Sequence, residues 1–276
     1  MATGDSGPMI DLDALAARIE DGCRLAIPPD YSGVAMAATR ALIARRARNL
    51  DLICCPTSGL QADLLIGADC LRMIETAAVS LGEFGPAPRF VKAVRDGAIA
   101  IRDATCPAIH AGLQAAEKGA PFLPLRGIIG SDLLAHRDDW RLIDNPYEPG
   151  DKLVAVPAIA PDVALFHAPL GDRHGNLWIG RRRELVVMAH AAKATLATVE
   201  AVFDGDLLAD ERWAAGVLPA LYVTAVAHAP RGAWPLALSG QYAADADHLD
   251  AYRRAARDDD GFARYLARHV APRVAA

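Results

Sequence analysis

The side chains able to do chemistry in this chain of 276 residues gather on glycine-bearing loops that follow apolar runs. Ser58-Gly59 comes after the run at residues 50–55 and offers a hydroxyl beside backbone donors, or else the cap of the next helix. Gly82-Glu83 lies in a loop at residues 81–86. A carboxylate there can bind substrate, act as an acid or base, or stay solvated. Glu75 interrupts the apolar run at residues 71–79, so it is either paired and buried or exposed at an edge. It is the second carboxylate able to assist a reaction. Arg126 stands beside Gly127, Gly130 and Ser131. Its guanidinium fork suits the carboxylate of an acid substrate, and equally a structural salt bridge.

Other reactive types carry less. Cys106 has His110 one helical turn on, and packing explains it better than nucleophilic chemistry. The five cysteines are odd in number and form no CxxC pair, which speaks against a structural zinc site. Cys54 and Cys55 are adjacent and point to opposite faces of a strand. His167 and His174 flank one turn, but a metal needs a third ligand, and none is expected. There is no GxGxxG, Walker loop, HExxH or GxSxG, so dehydrogenase, kinase, zinc protease and α/β-hydrolase lose support.

The elements that must position these groups alternate. Residues 10–21, 34–47, 60–67, 88–97 and 107–119 read as helices, with strands at 24–27, 50–55, 71–79 and 98–102. The run PFLPLR at 121–126 cannot be helical, because its prolines remove donors and fix dihedrals. Strands follow at 153–158, 163–168 and 194–202, with a sharp turn at 171–176 and a helix at 185–192. Residues 217–229 form one long or two short strands. The pattern predicts an α/β fold: an open, largely parallel sheet flanked by helices, in one domain over 1–276. A helical pair within 245–276, broken at 258–261, closes it. Ligands of such sheets sit at the carboxyl ends of strands, so the loops at 28–33, 56–59, 81–86 and 126–131 are expected to converge.

Composition narrows the class. Hydrophobic residues at 53% and charged residues at 23% suit a globular core, and a net charge of −5 gives no reason to expect nucleic acid. No apolar run reaches a membrane span, and the start MATGDSGPMIDLDAL lacks a signal-peptide core. A cytoplasmic protein without a membrane partner is expected.

Three segments taken together, IEDGCRLAI, GLQAAEKGAPFLPLRGIIGSDLL and NPYEPGDKLVAVPAIAPDVALFHAPLGDRHGNLWIG, resemble family I coenzyme A transferases. The likeness is greatest to the α subunit of the glutaconate CoA-transferase type. It spans residues 10–270 and is most specific over 121–180. It implies the NagB/RpiA/CoA-transferase type of fold and an enzyme built from two related halves. It also implies ping-pong chemistry. A glutamate attacks an acyl-CoA thioester, giving an acyl anhydride and then a glutamyl-CoA thioester, with backbone donors on the oxyanion.

That glutamate belongs to the β half, so the resemblance implies a separate β subunit, an α2β2 heteromer, and no catalytic nucleophile here. Glu83 and Glu75 would at most assist. Coenzyme A is then a substrate, with no permanently bound cofactor. Substrate contacts are expected from Ser58, Gly59, Gly82, Glu83, Arg126, Gly127, Gly130 and Ser131. The basic cluster Arg173, Arg181, Arg182 and Arg183 can meet CoA phosphates or form a solvated face. Two departures stand out. Many relatives have a glycine-rich loop where this chain has PPDYSG, with Gly33 alone in keeping. Related steroid-ring hydrolases carry a glutamate about where Cys106-Pro107 stands, which argues against their hydrolytic mechanism. A CoA-thioester hydrolase or ring-opening enzyme, and a non-catalytic acyl-CoA-binding subunit, are the alternatives.

Overall fold

Leu25 and Ile27 bury on one face of a sheet while Ala26 buries on the other, and Leu52 and Cys54 against Ile53 and Cys55 repeat the alternation. Both faces are covered, which is why these strands read as continuous apolar runs. The computed structural model describes residues 8–270; the N-terminal reading over 1–7 and the last part of the closing segment, 271–276, lie outside them.

The first half holds β1 (Met9–Ile10), β2 (Arg24–Ile27), β3 (Leu50–Cys54), β4 (Thr57–Ser58), β5 (Leu71–Thr76), β6 (Ala78–Val79), β7 (Ala100–Asp103) and β8 (Phe122–Leu125). The second holds β9 (Arg141–Asp144), β10 (Lys152–Pro157), β11 (Val163–Asp172), β12 (Leu177–Trp178), β13 (Ala194–Phe203), β14 (Val217–Leu218) and β15 (Ala225–His228). Between them run α1 (Leu12–Ala17), α2 (Met36–Ala44), α3 (Leu60–Gly67), α4 (Pro88–Asp96), α5 (Cys106–Glu117) and α6 (Leu133–His136). The remaining helices are α7 (Arg183–Ala191), α8 (Glu211–Ala214), α9 (Ala246–Ala255) and α10 (Asp259–His269). None of the described helices is long and apolar enough to cross a membrane.

The main sheet runs β1-β15-β13-β11-β2-β3-β5-β7, parallel throughout, with β12 added antiparallel to β11 and β14 antiparallel to β12. This is the open, largely parallel sheet expected from the sequence. Residues of α1–α4, α9 and α10 share one hydrophobic cluster, and residues of α5 and α7 share the other. Local chemistry sets the helix ends. Asp11, Thr105 and Asp258 accept the amides of Ala14, Ala108 and Gly261, and Gly97 closes α4 in the left-handed conformation.

Two boundaries depart from the sequence reading, and one open alternative is decided. Asp11 caps α1, so Ile10 falls before the helix and pairs in β1 with β15. The run at 71–79 breaks where Thr76 Oγ1 both donates to the Ala78 carbonyl and accepts its amide, which sends β6 to pair with β4. Residues 217–229 form two short strands, because Pro219 and a 3₁₀ turn (Ala220–Tyr222) separate them.

A second, three-stranded antiparallel sheet, β8-β10-β9, packs Val154 and Val156 into the core around α5. One buried ion pair ties it to the main sheet. Arg137 Nη2 lies 2.7 Å from Glu75 Oε1 on β5, with the two side chains 4% and 2% exposed. Arg137 also bonds Asp139 and the Asp103 carbonyl and lies over the Trp140 ring. Glu75 is thus the paired, buried carboxylate of the two possibilities, and its pairing holds the two sheets together. Glu75→Ala would leave a buried guanidinium facing Asp139 alone, and should lower unfolding free energy by about 3 kcal/mol in guanidinium chloride denaturation. Glu75→Gln, which keeps an acceptor, should lose less; an unchanged midpoint for the alanine variant contradicts the pairing.

Candidate active site

Strand order reverses between β2 and β11: the chain builds outward from β2 through β3, β5 and β7, and from β11 through β13 and β15. Loops that leave two adjacent parallel strands in opposite directions open a crevice at their carboxyl ends. A cavity of about 360 Å³ lies there. Tyr31, Ser32 and Gly33 line it from the β2 loop, His167 and Pro169 from β11, and Arg181 and Arg182 from the turn before α7.

Backbone contact holds its walls. The His167 amide donates to the Gly33 carbonyl at 2.7 Å, and Gly33 has φ +73°. A Cβ on Gly33 would sit on the His167 carbonyl oxygen. Gly33 is therefore required by close approach as well as by its dihedral. Ser32 is fully buried and its hydroxyl donates to Glu184 of α7.

His167 forms the floor and is fully buried. Its Nε2 lies 3.1 Å from Glu200 Oε2 and its Nδ1 2.8 Å from Thr198 Oγ1. A carboxylate only accepts, so the proton is assigned to Nε2, and Nδ1 accepts from the threonine hydroxyl. Burial pushes His167 below the ordinary imidazole value, against the pull of Glu200, which keeps the ring neutral. Burial alone would raise Glu200. Donors from His167, the Arg231 amide and the Tyr242 hydroxyl outweigh it and hold the carboxyl down to about 2. Both ring nitrogens are occupied, so His167 supports the cavity and is no general base.

A second cavity, about 500 Å³, lies on the other side of Tyr31, where the loops after β2, β3 and β6 meet. Asp30 and Ser58 line its inner wall, Gly82 and Glu83 its rim, and Leu81, Phe84, Leu236 and Leu249 its apolar sides. Asp30 caps α3 from a distance: its two oxygens accept the Gly59 and Leu60 amides at 3.1 and 3.0 Å. Burial pushes its carboxyl up to about 6, although those amides pull the other way. Gly59 cannot carry a side chain, since a Cβ would collide with Asp30 and the Ser80 carbonyl.

Three of the four expected loops converge, and the fourth does not. Ser58, Gly82 and Glu83 meet at the second cavity, while the Gly59 amide is already given to Asp30. Arg126, Gly127, Gly130 and Ser131 line neither cavity. They follow β8, which belongs to the small antiparallel sheet, so that loop does not leave the carboxyl edge of the parallel strands. Arg126 forks onto Asp151 at 2.6 and 3.3 Å, Ser131 Oγ donates to the Ile128 carbonyl, and Ile128 anchors the loop in the core. Of the basic cluster, Arg181 and Arg182 reach the first cavity, with Arg182 over the Tyr31 ring, while Arg183 donates to the Ala215 carbonyl. His174 sits in a turn that the buried carboxylate of Asp172 organises, apart from His167. Among the described residues no group of three or more His, Cys, Asp or Glu side chains is placed to hold a metal. Cys106 is exposed at the first turn of α5, unlike the buried Cys54, Cys55 and Cys70. Asp30, Tyr31, Glu200 and the segment around Leu236 were missed by sequence reasoning; the one signal was an aspartate and a tyrosine inside a proline–glycine loop.

Two outcomes follow from this geometry. Gly33→Ala must displace the β2 loop, so it should cost about 1–3 kcal/mol in thermal denaturation. Gly22→Ala is the control: φ is +81° there with open space around it, so thermal denaturation should show only the smaller dihedral penalty. Glu200 is stabilised in its ionised form, with a folded value near 2 against an ordinary 4.5. Its contribution is therefore full above pH 4.5 and is lost as pH falls toward 2. Glu200→Gln should cost about 1–3 kcal/mol at neutral pH, and the gap from the native chain should close below pH 4.5.

No family model matches the chain. It is 31% identical to the A subunit of 3-oxoadipate CoA-transferase from Pseudomonas knackmussii, over 94% of this chain and 91% of that one. It is 31% identical to the A subunit of glutaconate CoA-transferase from Acidaminococcus fermentans, over 72% of this chain and 68% of the other. It is also 29% identical to the cholesterol ring-cleaving hydrolase IpdA subunit of Rhodococcus jostii, over 85% and 82%. Among solved structures, glutaconate coenzyme A-transferase from Acidaminococcus fermentans superposes with a TM-score of 0.87 at 26% identity, covering 95% of this chain and 88% of that one. The decarboxylase AibA/AibB gives 0.80 at 30%, covering 94% and 98%. The fold, the crevice at the strand-order reversal and these likenesses agree: the chain belongs to the family of CoA-transferase A subunits, as the α half of an enzyme that a partner subunit completes.

Proposed function

We propose that this chain forms one side of an acyl-CoA cleft in a heteromeric CoA-transferase, which moves CoA between an acyl-CoA and an organic acid. One observation carries the reading: two adjoining cavities share Tyr31, one bordered by Arg181 and Arg182 and the other largely apolar. An acyl-CoA has the same division, with anionic phosphates at one end and an acyl group at the other. The carboxylates among the described lining residues are Asp30 and Glu83. Asp30 is committed to the α3 amides, and Glu83 sits on an exposed turn.

This reading puts the attacking glutamate on the partner, a β subunit, in an α2β2 assembly. Its carboxylate oxygen adds to the thioester carbon, and the C–S bond breaks to release CoA thiolate and leave an acyl anhydride. The thiolate then attacks the glutamyl carbonyl, expelling the first acid and forming a glutamyl-CoA thioester. A second acid reverses these steps. In this chain the β2 loop, held at Gly33, shapes the cleft wall, and the arginines and Tyr31 orient the CoA end. The reading includes a cytoplasmic enzyme of organic acid metabolism, with coenzyme A as substrate and no resident cofactor.

Likeness to a ring-cleaving hydrolase subunit supports a second reading, a CoA-thioester hydrolase on the same scaffold. The exposed Cys106, where a glutamate is expected for such hydrolases, weighs against it. The chain should be co-expressed with its β partner and assayed with an acyl-CoA, with and without an acceptor acid. Acceptor-dependent CoA exchange, with a glutamyl thioester trapped by borohydride, is the expected result. Release of free CoA without an acceptor supports hydrolysis and sinks the transferase reading.

A further inference from the structure

A third cavity, of about 750 Å³, lies where α1, α2 and the loop after β15 meet the end of α10. Arg40, Arg231, Arg268 and His269 line it beside Trp234, and Asp13 is the carboxylate among its described lining residues. Arg40 donates to the Trp234 carbonyl and lies over the Trp234 ring. Among the described residues no carboxylate pairs with Arg231 or Arg268, whereas Arg253 and Arg254 of α9 both pair with Asp250. The positive charge is felt locally: burial, and then the charges of Arg268 and Arg40, hold His269 below the ordinary imidazole value. Arginines gathered with so little counter-charge repel one another unless an anion joins them.

The backbone singles out Arg231. Its φ is +54°, in the left-handed region that glycine takes more easily. A long side chain kept there against its backbone preference points to a use for that side chain. Its guanidinium lies 5.2 Å over the Tyr242 ring, and its amide donates to Glu200 Oε1 at 2.7 Å.

We propose that this cavity binds a small polyanion, one carrying two or more carboxylate or phosphate groups, and that its occupancy tightens binding in the acyl-CoA cavities. Guanidinium forks match the planar or tetrahedral oxygens of such groups, and several forks together need several negative charges. The site stands on its own residues; the coupling rests on the acyl-CoA reading above. An anion on the guanidinium fixes Arg231, whose amide helps to hold Glu200. Glu200 holds the His167 ring, and the His167 amide holds the Gly33 loop. The same segment continues from Arg231 into both other cavities, through Leu238 and Ser239 to the first and Leu236 and Ala237 to the apolar one. A ligand that orders a shared segment reduces the ordering left for a second ligand, and the effect is reciprocal.

The test uses calorimetry on the purified complex of this chain with its partner subunit, at neutral pH. Pyrophosphate, citrate and acetate are titrated into complex saturated with coenzyme A, which fills the cleft. Pyrophosphate or citrate should bind, and the tighter of the two tells a phosphate source from a carboxylate one. Acetate, with one charge, should bind at least about 10-fold more weakly. Arg268→Gln, on the exposed last turn of α10 where folding is not at stake, should weaken the favoured polyanion about 10-fold. Arg182→Gln, in the cleft, should not. In the reciprocal experiment, saturating polyanion should tighten coenzyme A about 5-fold in the native complex and leave it unchanged in Arg268→Gln. If neither polyanion binds, or if Arg268→Gln binds it as well as the native complex, the site falls. Polyanion binding that leaves coenzyme A affinity unchanged, or weakens it, overturns the coupling and keeps the site. If coenzyme A does not bind, the acyl-CoA reading falls, and titration of the same polyanions into the CoA-free complex still decides the site.

Discussion

The site depends on one close approach. Strands β2 and β11 lie side by side in parallel, and the loop leaving β2 is stitched to β11 by the bond from the His167 amide to the Gly33 carbonyl. The approach leaves no room for a Cβ at residue 33. The contact fixes where the crevice opens, how far the β2 loop lies from the arginine-bearing turn, and which side of Tyr31 each cavity occupies. A looser joint there would merge the two cavities and lose the division between their polar and apolar ends.

That joint is supported from below by groups that do no chemistry. His167, Thr198, Glu200 and Tyr242 form a connected polar set in which each donor finds an acceptor. Such sets are stabilising only when complete, since an unmatched member in low dielectric costs more than an apolar replacement. The Glu200 carboxylate keeps its ionised state by gathering three donors. Asp30 is the counterpart on the other side of the loop. It holds the α3 amides and yet keeps a raised value near 6, because two backbone donors do not fully offset its burial. One carboxylate is thus held well ionised, and the other, at a cavity wall, is pushed up by burial. That contrast is the expected mark of a functional surface.

The small sheet shows the opposite logic. Its loop carries the arginine, glycines and serine that look most like a carboxylate grip. The geometry turns them inward on themselves: Arg126 onto Asp151, Ser131 onto Ile128, and the whole sheet onto Glu75 through Arg137. The segment lies mostly exposed, with Ile128 as its buried anchor, and lines neither cavity. Distinctive sequence and cavity lining are separable, because a buried ion pair such as Arg137–Glu75 constrains residue type as strongly as a substrate does.

The sequence by itself determined the class of fold and most of its elements. Period-two and helical spacing, prolines at helix starts and glycines at their ends act over a few residues and are readable there. It also marked Ser58, Gly82 and Glu83, because loops after parallel strands have a default destination. Strand order was not legible. Nothing local says that β11 inserts beside β2, since that pairing joins residues far apart in the chain and is decided by which apolar faces can be covered together. The reversal at β2 and β11 created the crevice, chose His167 as its floor, and brought Leu236 and Leu249 across to close the apolar cavity. The same tertiary pairing kept Arg126 out of the two cavities, because β8 joined an antiparallel partner instead of the parallel sheet.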